Sequence, residues 1–61
     1  MNELIIKFGF LRRSENEYVK DNFILRIFKN EFEIYEDKFE NRVGKYYKGD
    51  ISKLKDVLKE L

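Results

Sequence analysis

The stretch FILRIFKNEFEIYED, residues 23–37, decides the fold class of this chain. Its first six residues alternate between two sides of a strand. The uniformly apolar side carries Phe23, Leu25 and Ile27. A repeat of two residues is typical of a strand with one buried face. Asn30 follows where the chain must reverse, and asparagine readily adopts turn conformations. We therefore expect residues 23–28 to form the first strand of a β-hairpin.

The second strand of this hairpin lies in EFEIYEDKFE, residues 31–40, which mixes five carboxylates with four apolar or aromatic side chains. A strand over 32–38 directs Phe32 and Ile34 towards the core. Its solvent side carries Glu33, Tyr35 and Asp37. With Asn30 and Glu31 as turn residues, the opposed pairs are Ile27 with Ile34 and Arg26 with Tyr35. Both pairs are favourable across strands.

A helix over residues 31–40 is the alternative. Aromatic side chains recur at helical spacings of four, three and four residues, at Phe28, Phe32, Tyr35 and Phe39. Asn30 could cap such a helix. The aromatic and isoleucine content and the favourable hairpin pairs favour the strand.

Upstream, residues 4–11 show the same repeat of two and predict another strand. Its first side carries Leu4, Ile6, Phe8 and Phe10. Its second side carries Ile5, Lys7, Gly9 and Leu11. The following RRSENE, residues 12–17, contains no apolar residue and predicts a surface loop.

Downstream, VGKYYKGD, residues 43–50, predicts a short strand closed by Gly49. The last twelve residues, DISKLKDVLKEL, predict an amphipathic helix. Its apolar stripe consists of Ile51, Leu54, Leu58 and Leu61, with Val57 beside them. Asp50 is placed to cap this helix, with Ser52 as the alternative. A helix this short is stable only when its stripe docks on the sheet.

Together these elements predict a single α+β domain over residues 1–61. We expect a three- or four-stranded antiparallel sheet, an open or a curled meander, with the C-terminal helix packed on one face. The other face would then be apolar and uncovered. It would carry Ile5, Leu11, Ile24, Phe28 and Tyr35. Exposed apolar patches of this kind mark association sites.

The composition argues against several classes of function. The 61 residues include no cysteine and no histidine, so we expect neither a disulfide nor a structural zinc site. Because the chain has no histidine and no cysteine, nucleophilic catalysis would rest on Ser14 or Ser52 with a lysine base. Carboxylate pairs such as Glu33 with Asp37 are interpreted as a solvated acidic strand. We therefore predict a protein that is not an enzyme and that uses no cofactor and no metal.

The N-terminus MNELIIKFGFLRR lacks the features of a signal peptide, and no run approaches the roughly 20 apolar residues of a membrane span. We expect a cytoplasmic protein without membrane contact. Its small size, strand-rich pattern and bias towards residues with AT-rich codons are loosely similar to those of short phage or mobile-element proteins, including anti-defence inhibitors. This resemblance to a class, which rests on no particular motif, implies an inhibitor or an adaptor.

The function predicted from these features is protein–protein interaction. The partner-binding residues are expected on the uncovered face and the acidic strand: Ile24, Phe28, Glu33, Tyr35 and Asp37. A homodimer is the favoured assembly, because so small a chain without crosslinks gains from burying this face. A foreign protein partner is the other possibility.

Nucleic-acid binding is the alternative function. In GKYYKG, residues 44–49, two tyrosines lie between two lysines. The candidate residues are Lys45, Tyr46, Tyr47 and Lys48. Aromatic rings that stack on bases and cations that meet phosphates are what single-strand binders require. Only one of the two tyrosines can face outward on a regular strand, and the net charge of +1 is low for a basic domain.

Overall fold

One antiparallel sheet of five strands organises the part of the chain that the computed structural model describes, residues 2–37 and 44–61. The strands follow chain order as an open meander: β1 (Leu11–Ser14), β2 (Glu17–Lys20), β3 (Phe23–Phe28), β4 (Glu31–Glu36) and β5 (Tyr46–Asp50). Helix α1 (Asn2–Lys7) precedes the sheet, and a 3₁₀ helix (Ile51–Lys53) leads into helix α2 (Leu54–Glu60). The α+β class with an antiparallel sheet is confirmed. The expectation of three or four strands is wrong.

The N-terminal segment is a helix, and the strand expected over 4–11 is wrong. A Schellman motif ends this helix: Gly9 N–H donates to Ile6 O (2.9 Å) and Phe10 N–H donates to Ile5 O (3.3 Å). Gly9 has a φ of +94°, a left-handed conformation that suits glycine. Ile5 and Phe10, which the motif brings together, are both buried. Ile5 therefore belongs to the core and not to the uncovered face.

The hairpin of β1 and β2 was not predicted, and the loop expected over 12–17 is wrong. The chain reverses at Glu15 and Asn16, and a bulge between Arg12 and Ser14 interrupts the pairing. Every residue of β1 is exposed. An edge strand can be polar on both sides, so hydrophobic alternation gives no signal for it.

The central hairpin of β3 and β4 forms as expected, but its turn lies one residue earlier. Lys29 and Asn30 are the turn residues, and Lys29 has a φ of +44°. The opposed pairs include Leu25 with Ile34, Arg26 with Glu33 and Ile27 with Phe32. Each β3 residue thus pairs two positions earlier on β4 than expected, so every side chain keeps its predicted face. The observed register sets a guanidinium against a carboxylate, which is a favourable pair.

β4 is a strand through Glu36, which rejects the helical alternative for that part of the chain. Residues 38–43 lie outside the described residues. These residues include Phe39 of the alternative helix and the first residue of the strand expected over 43–50. The strand β5 begins at Tyr46, so Gly44 and Lys45 of the expected strand lie outside it.

The core of the described residues is one cluster of apolar side chains. Its buried members are Ile5, Phe10, Tyr18, Leu25, Phe32, Ile34, Leu54 and Leu58. Both α-helices and the three middle strands contribute to it. Leu54 and Leu58 are the residues at the centre of the stripe predicted for the C-terminal helix, and both are buried.

The start of the C-terminal helix differs from the expectation. Asp50 ends β5, and the 3₁₀ helix separates it from α2. Its carboxylate makes no capping hydrogen bond to the helix backbone and instead accepts one from Ser52 Oγ (3.2 Å). Neither Asp50 nor Ser52 therefore acts as the expected side-chain cap of α2.

Candidate partner-binding face

The two faces of the sheet differ in what lies against them. On one, which we call the core face, direct pairs align Tyr18, Leu25, Ile34 and Tyr47. The first three of these side chains are buried. Helix α1 lies on this side, because Tyr18 Oη donates to Asn2 Oδ1 (2.7 Å) and Lys20 Nζ donates to Phe8 O (2.7 Å).

The opposite face, which we call the open face, carries an apolar row that crosses every strand. Direct pairs align Leu11, Val19, Ile24, Tyr35 and Tyr46. Leu11 and Tyr46, at the two ends, are 70% and 57% exposed, and the three residues between them are half-buried. Because successive residues of a strand point to opposite faces, this row faces away from the buried cluster.

A second row on the open face, the charged row, alternates in sign. Direct pairs align Glu17, Arg26, Glu33 and Lys48. The bulge of β1 adds Arg13, whose Nε lies 3.2 Å from Glu17 Oε1. From β1 to β5 the charges therefore run positive, negative, positive, negative, positive. Neighbouring strands therefore carry opposite charges at each step of the row, which is a favourable cross-strand arrangement.

Glu17 makes two contacts within the charged row. It accepts a hydrogen bond from Arg26 Nε at 2.9 Å and pairs with Arg13. The hydrogen bond from Arg26, assisted by the charge of Arg13, lowers the pKa of Glu17 below its usual value. The Arg26 guanidinium also lies 5.5 Å from the centre of the Tyr35 ring. The expected contact of Arg26 with Tyr35 thus forms along a diagonal of the sheet and joins the charged row to the apolar row.

Tyr46 joins the two rows at the other edge of the sheet. Its Oη donates a hydrogen bond to Glu33 Oε2 at 3.0 Å. This bond requires the phenol proton, and it raises the pKa of Tyr46 above its usual value. The hydrogen bond therefore fixes the position of the Tyr46 hydroxyl, while the Tyr46 ring remains largely exposed.

Shallow depressions border the open face at both ends of β3. Phe28, at the end of β3, is 52% exposed and borders a depression of about 740 Å³ together with Lys29 and Glu31. The other depression, of about 250 Å³, includes Arg13, Ile24 and Asp37 in its lining. Each combines apolar and charged side chains.

Most of the predicted partner-binding residues lie together on the open face. Ile24 and Tyr35 are a direct pair of the apolar row. Glu33 belongs to the charged row, and Phe28 lies at the end of the face. Asp37 is exposed just beyond β4 and lines the smaller depression.

Sequence reasoning did not assign Arg13, Glu17 and Val19 to this face, because the first hairpin was not recognised. A local signal for β2 exists in EYVK, residues 17–20, where tyrosine and valine lie between the turn residues Asn16 and Asp21. Leu11 was expected on the uncovered face and lies there, although in a different strand from the one predicted.

The residues of the alternative nucleic-acid site are divided between the two faces. Lys45 and Lys48 are exposed, and Tyr46 lies on the open face. Tyr47 lies on the core face, half-buried against the apolar cluster. The carboxylate of Glu33, bonded to Tyr46, therefore lies beside the ring that could stack on a base.

Within residues 2–37 and 44–61, no group of three or more metal-ligating side chains is placed to hold an ion. In the same residues no helix combines the length and the apolar character needed to cross a bilayer. Comparisons of the chain with models of known families, with curated proteins and with solved structures found no match.

Proposed function

We propose that this protein is a small, non-catalytic interaction module that holds a protein partner against its open face. The proposal takes α2, like α1, to cover the core face, because Leu54 and Leu58 share one buried cluster with Leu25 and Ile34. The open face then remains for a partner. A module of this size acts by occupying its partner's surface, as an inhibitor or adaptor of the phage or mobile-element type.

The apolar row is the observation that carries the proposal. Its five side chains lie side by side across the sheet, and none of them is fully buried by the described part of the chain. Single exposed apolar residues are ordinary on protein surfaces. A contiguous strip bordered by charges is typical of an interaction site.

The charged row would determine the specificity for the partner. Arg26 and Glu33 lie next to the apolar row at the centre of the sheet, so a partner must present charges that complement both. The acidic strand adds Glu31 and Asp37, both exposed, at its two ends. Charges of this kind steer association and exclude mismatched surfaces more than they add affinity.

Binding of single-stranded nucleic acid is a second candidate. The exposed ring of Tyr46 between the exposed lysines Lys45 and Lys48 favours it. The carboxylates of Glu17 and Glu33 within the charged row oppose it, because they repel phosphates. A gel-shift assay with a short oligonucleotide tests this candidate, since phosphate-driven binding must weaken steeply as salt rises.

Two matched isoleucine substitutions test the proposed function. Ile24→Lys places a charge in the apolar row, whereas Ile6→Lys places the same charge on α1, where Ile6 is 45% exposed. Sedimentation of each purified variant measures self-association. Titration with any protein that the wild type captures, purified in turn, measures binding to a foreign partner. Ile24→Lys should abolish association and Ile6→Lys should retain it. Equal association of the two variants would contradict the proposal.

A further inference from the structure

We propose that the occupant of the open face is a second copy of this chain, placed by a two-fold axis that runs parallel to the strands between β3 and β4. The inference rests on the proposed function, because it names the partner of that same face. It follows from the order of charged and apolar side chains across the sheet, which is self-complementary about this axis.

The charged row selects where the axis can lie. An axis along the middle of a strand brings each residue of that strand onto its own copy, and the alternation then sets like charges together in every pair of facing strands. An axis between neighbouring strands sets opposite charges together. Between β3 and β4, Arg26 faces the partner's Glu33, and Glu17 faces the partner's Lys48. Each pair occurs twice by symmetry, as in an isologous interface.

The same operation sets four of the five members of the apolar row against one another and leaves Leu11 of β1 without a facing residue. Ile24 lies over the partner's Tyr35, and Val19 lies over the partner's Tyr46. Aliphatic side chains set against aromatic rings interdigitate at the roughly 10 Å separation of stacked sheets. The half-buried middle of the apolar row thereby becomes the centre of a dry interface.

The axis between β3 and β4 is favoured over the one between β2 and β3. β3 and β4 have six residues each and pair along their whole length, whereas β1 and β2 have four residues each and contain the bulge. The axis between β3 and β4 leaves β1 without a facing strand, and the four strands from β2 to β5 give a face of roughly 330 Å² in plan. Side-chain relief raises the buried area towards the roughly 800 Å² per partner of a standard interface. We therefore expect a dimer that dissociates in the micromolar range.

Pairing face to face is also favoured over extension of the sheet at the β1 edge. The Arg12 side chain folds back along that edge, where its Nε donates to Ser14 O (3.1 Å) and its Nη2 donates to Glu15 O (3.3 Å). These bonds and the adjacent bulge occupy the backbone that an incoming strand would need. Edge strands that are interrupted by a bulge and carry charged side chains along the edge resist pairing with another chain.

Two charge reversals test the position of the axis. Arg26→Glu sets the new carboxylate against the partner's Glu33, and Glu33→Arg sets the new guanidinium against the partner's Arg26. Each variant alone should dimerise at least about tenfold more weakly than the wild type. In an equimolar mixture the two chains can form a heterodimer in which both central pairs again have opposite signs. Its affinity should return to within about threefold of the wild-type value.

Cysteine crosslinking provides a second measurement that leaves the charges intact. The chain has no native cysteine, so Ile24→Cys and Tyr35→Cys each carry a single thiol. Mixed in equal amounts and treated with a short bismaleimide, the two chains should give more than twice as much heterodimeric crosslink as either homodimeric product, which exceeds random pairing, because residues 24 and 35 face each other across the axis.

Sedimentation equilibrium from ~5 to ~200 µM measures the dimer affinity of the wild type and of each variant. Circular dichroism confirms that each variant is folded. A wild type that remains at 7.5 kDa throughout overturns the dimer. If Ile24→Lys then still loses a foreign partner that Ile6→Lys retains, the proposed function survives and only the second copy fails as its occupant. Folded single variants without recovery in the mixture, and without excess heterodimeric crosslink, overturn the axis.

Discussion

The core face and the open face of the sheet carry rows of similar composition and have different environments. The core row aligns Tyr18, Leu25, Ile34 and Tyr47, and the apolar row aligns Leu11, Val19, Ile24, Tyr35 and Tyr46. Three members of the core row are buried, whereas no member of the apolar row is. Strand composition alone therefore does not determine which face is the core. The buried cluster on the core side also includes residues from outside the sheet, in α1 and α2.

Adjacent residues on the two faces give the largest expected contrast. Ile34→Asp buries a charge in the apolar cluster without a partner, and we expect it to unfold the domain. Glu33→Lys changes the neighbouring residue on the open face and should cost no more than about 1 kcal/mol. Far-ultraviolet circular dichroism and a urea titration of both variants measure this contrast. Equal losses of stability would contradict the assignment of the faces.

A truncation in α2 tests how much the core face depends on helix packing. Leu58 is 3% exposed, and Leu58→Ala should destabilise the domain by about 2–5 kcal/mol. Val57→Ala, at a half-buried position of the same helix, is the control and should cost less. Thermal melts of the two variants are the measurement. An unchanged melt for Leu58→Ala would mean that α2 does not contribute to the core.

The Schellman motif at the end of α1 predicts a smaller effect of backbone strain. Gly9→Ala forces a side chain into a φ of +94° and brings its Cβ to within 3.3 Å of Lys20 Cε. We expect a loss of about 1–2 kcal/mol in the free energy of unfolding. Chemical denaturation measures it, and a stabilised variant would show that the segment does not end as a helix at this position.

The charged row predicts a pH-dependent contribution to stability. The pKa of Glu17 is lower in the folded protein, because Arg26 donates a hydrogen bond to its carboxylate and Arg13 lies beside it. Its contribution is therefore present above the unfolded pKa of about 4.5 and is lost as pH falls through the lower folded value. The difference in melting temperature between the wild type and Glu17→Gln should shrink as pH falls from 6 to 3. A difference independent of pH would exclude an ionised Glu17 as its cause.

The smallest expected effect is on the titration of Tyr46. Its hydrogen bond to Glu33 raises the phenol pKa, so the folded state loses this contribution only as pH rises past the usual tyrosine range. Ultraviolet absorbance titration of the wild type and of Glu33→Gln should show one tyrosine that ionises at lower pH in the variant. Identical titration curves would mean that this bond does not persist in solution.

The sequence predicts the β3–β4 hairpin well, because its strands are long and have one apolar face each. Even with the turn misplaced by one residue, the faces of Phe32, Glu33 and Ile34 are correct, since the register error is an even number of positions. The same reasoning gives a wrong prediction for the N-terminal segment. Its apolar residues fit both a strand and a helix, and Gly9, at the end of the segment, distinguishes the two.

The candidate site is predicted only where it belongs to that hairpin. Ile24, Glu33 and Tyr35 follow from alternation within the two long strands. The contributions of β1, β2 and β5 depend on which strands are neighbours and on the bulge that directs Arg13 towards Glu17. Neither is encoded in local periodicity. The alternating order of the charged row becomes visible only once the strands are set side by side.

An isotope-filtered nuclear Overhauser experiment tests most directly whether the open face binds a second copy. An equimolar mixture of ¹³C-labelled and unlabelled chains reports only contacts between chains, which separates them from the direct pairing of Ile24 with Tyr35 within one chain. We predict intermolecular contacts between the Ile24 methyl groups and the Tyr35 ring. Intermolecular contacts confined to α1 or α2, or none at concentrations where the protein sediments as a dimer, would contradict binding through the open face.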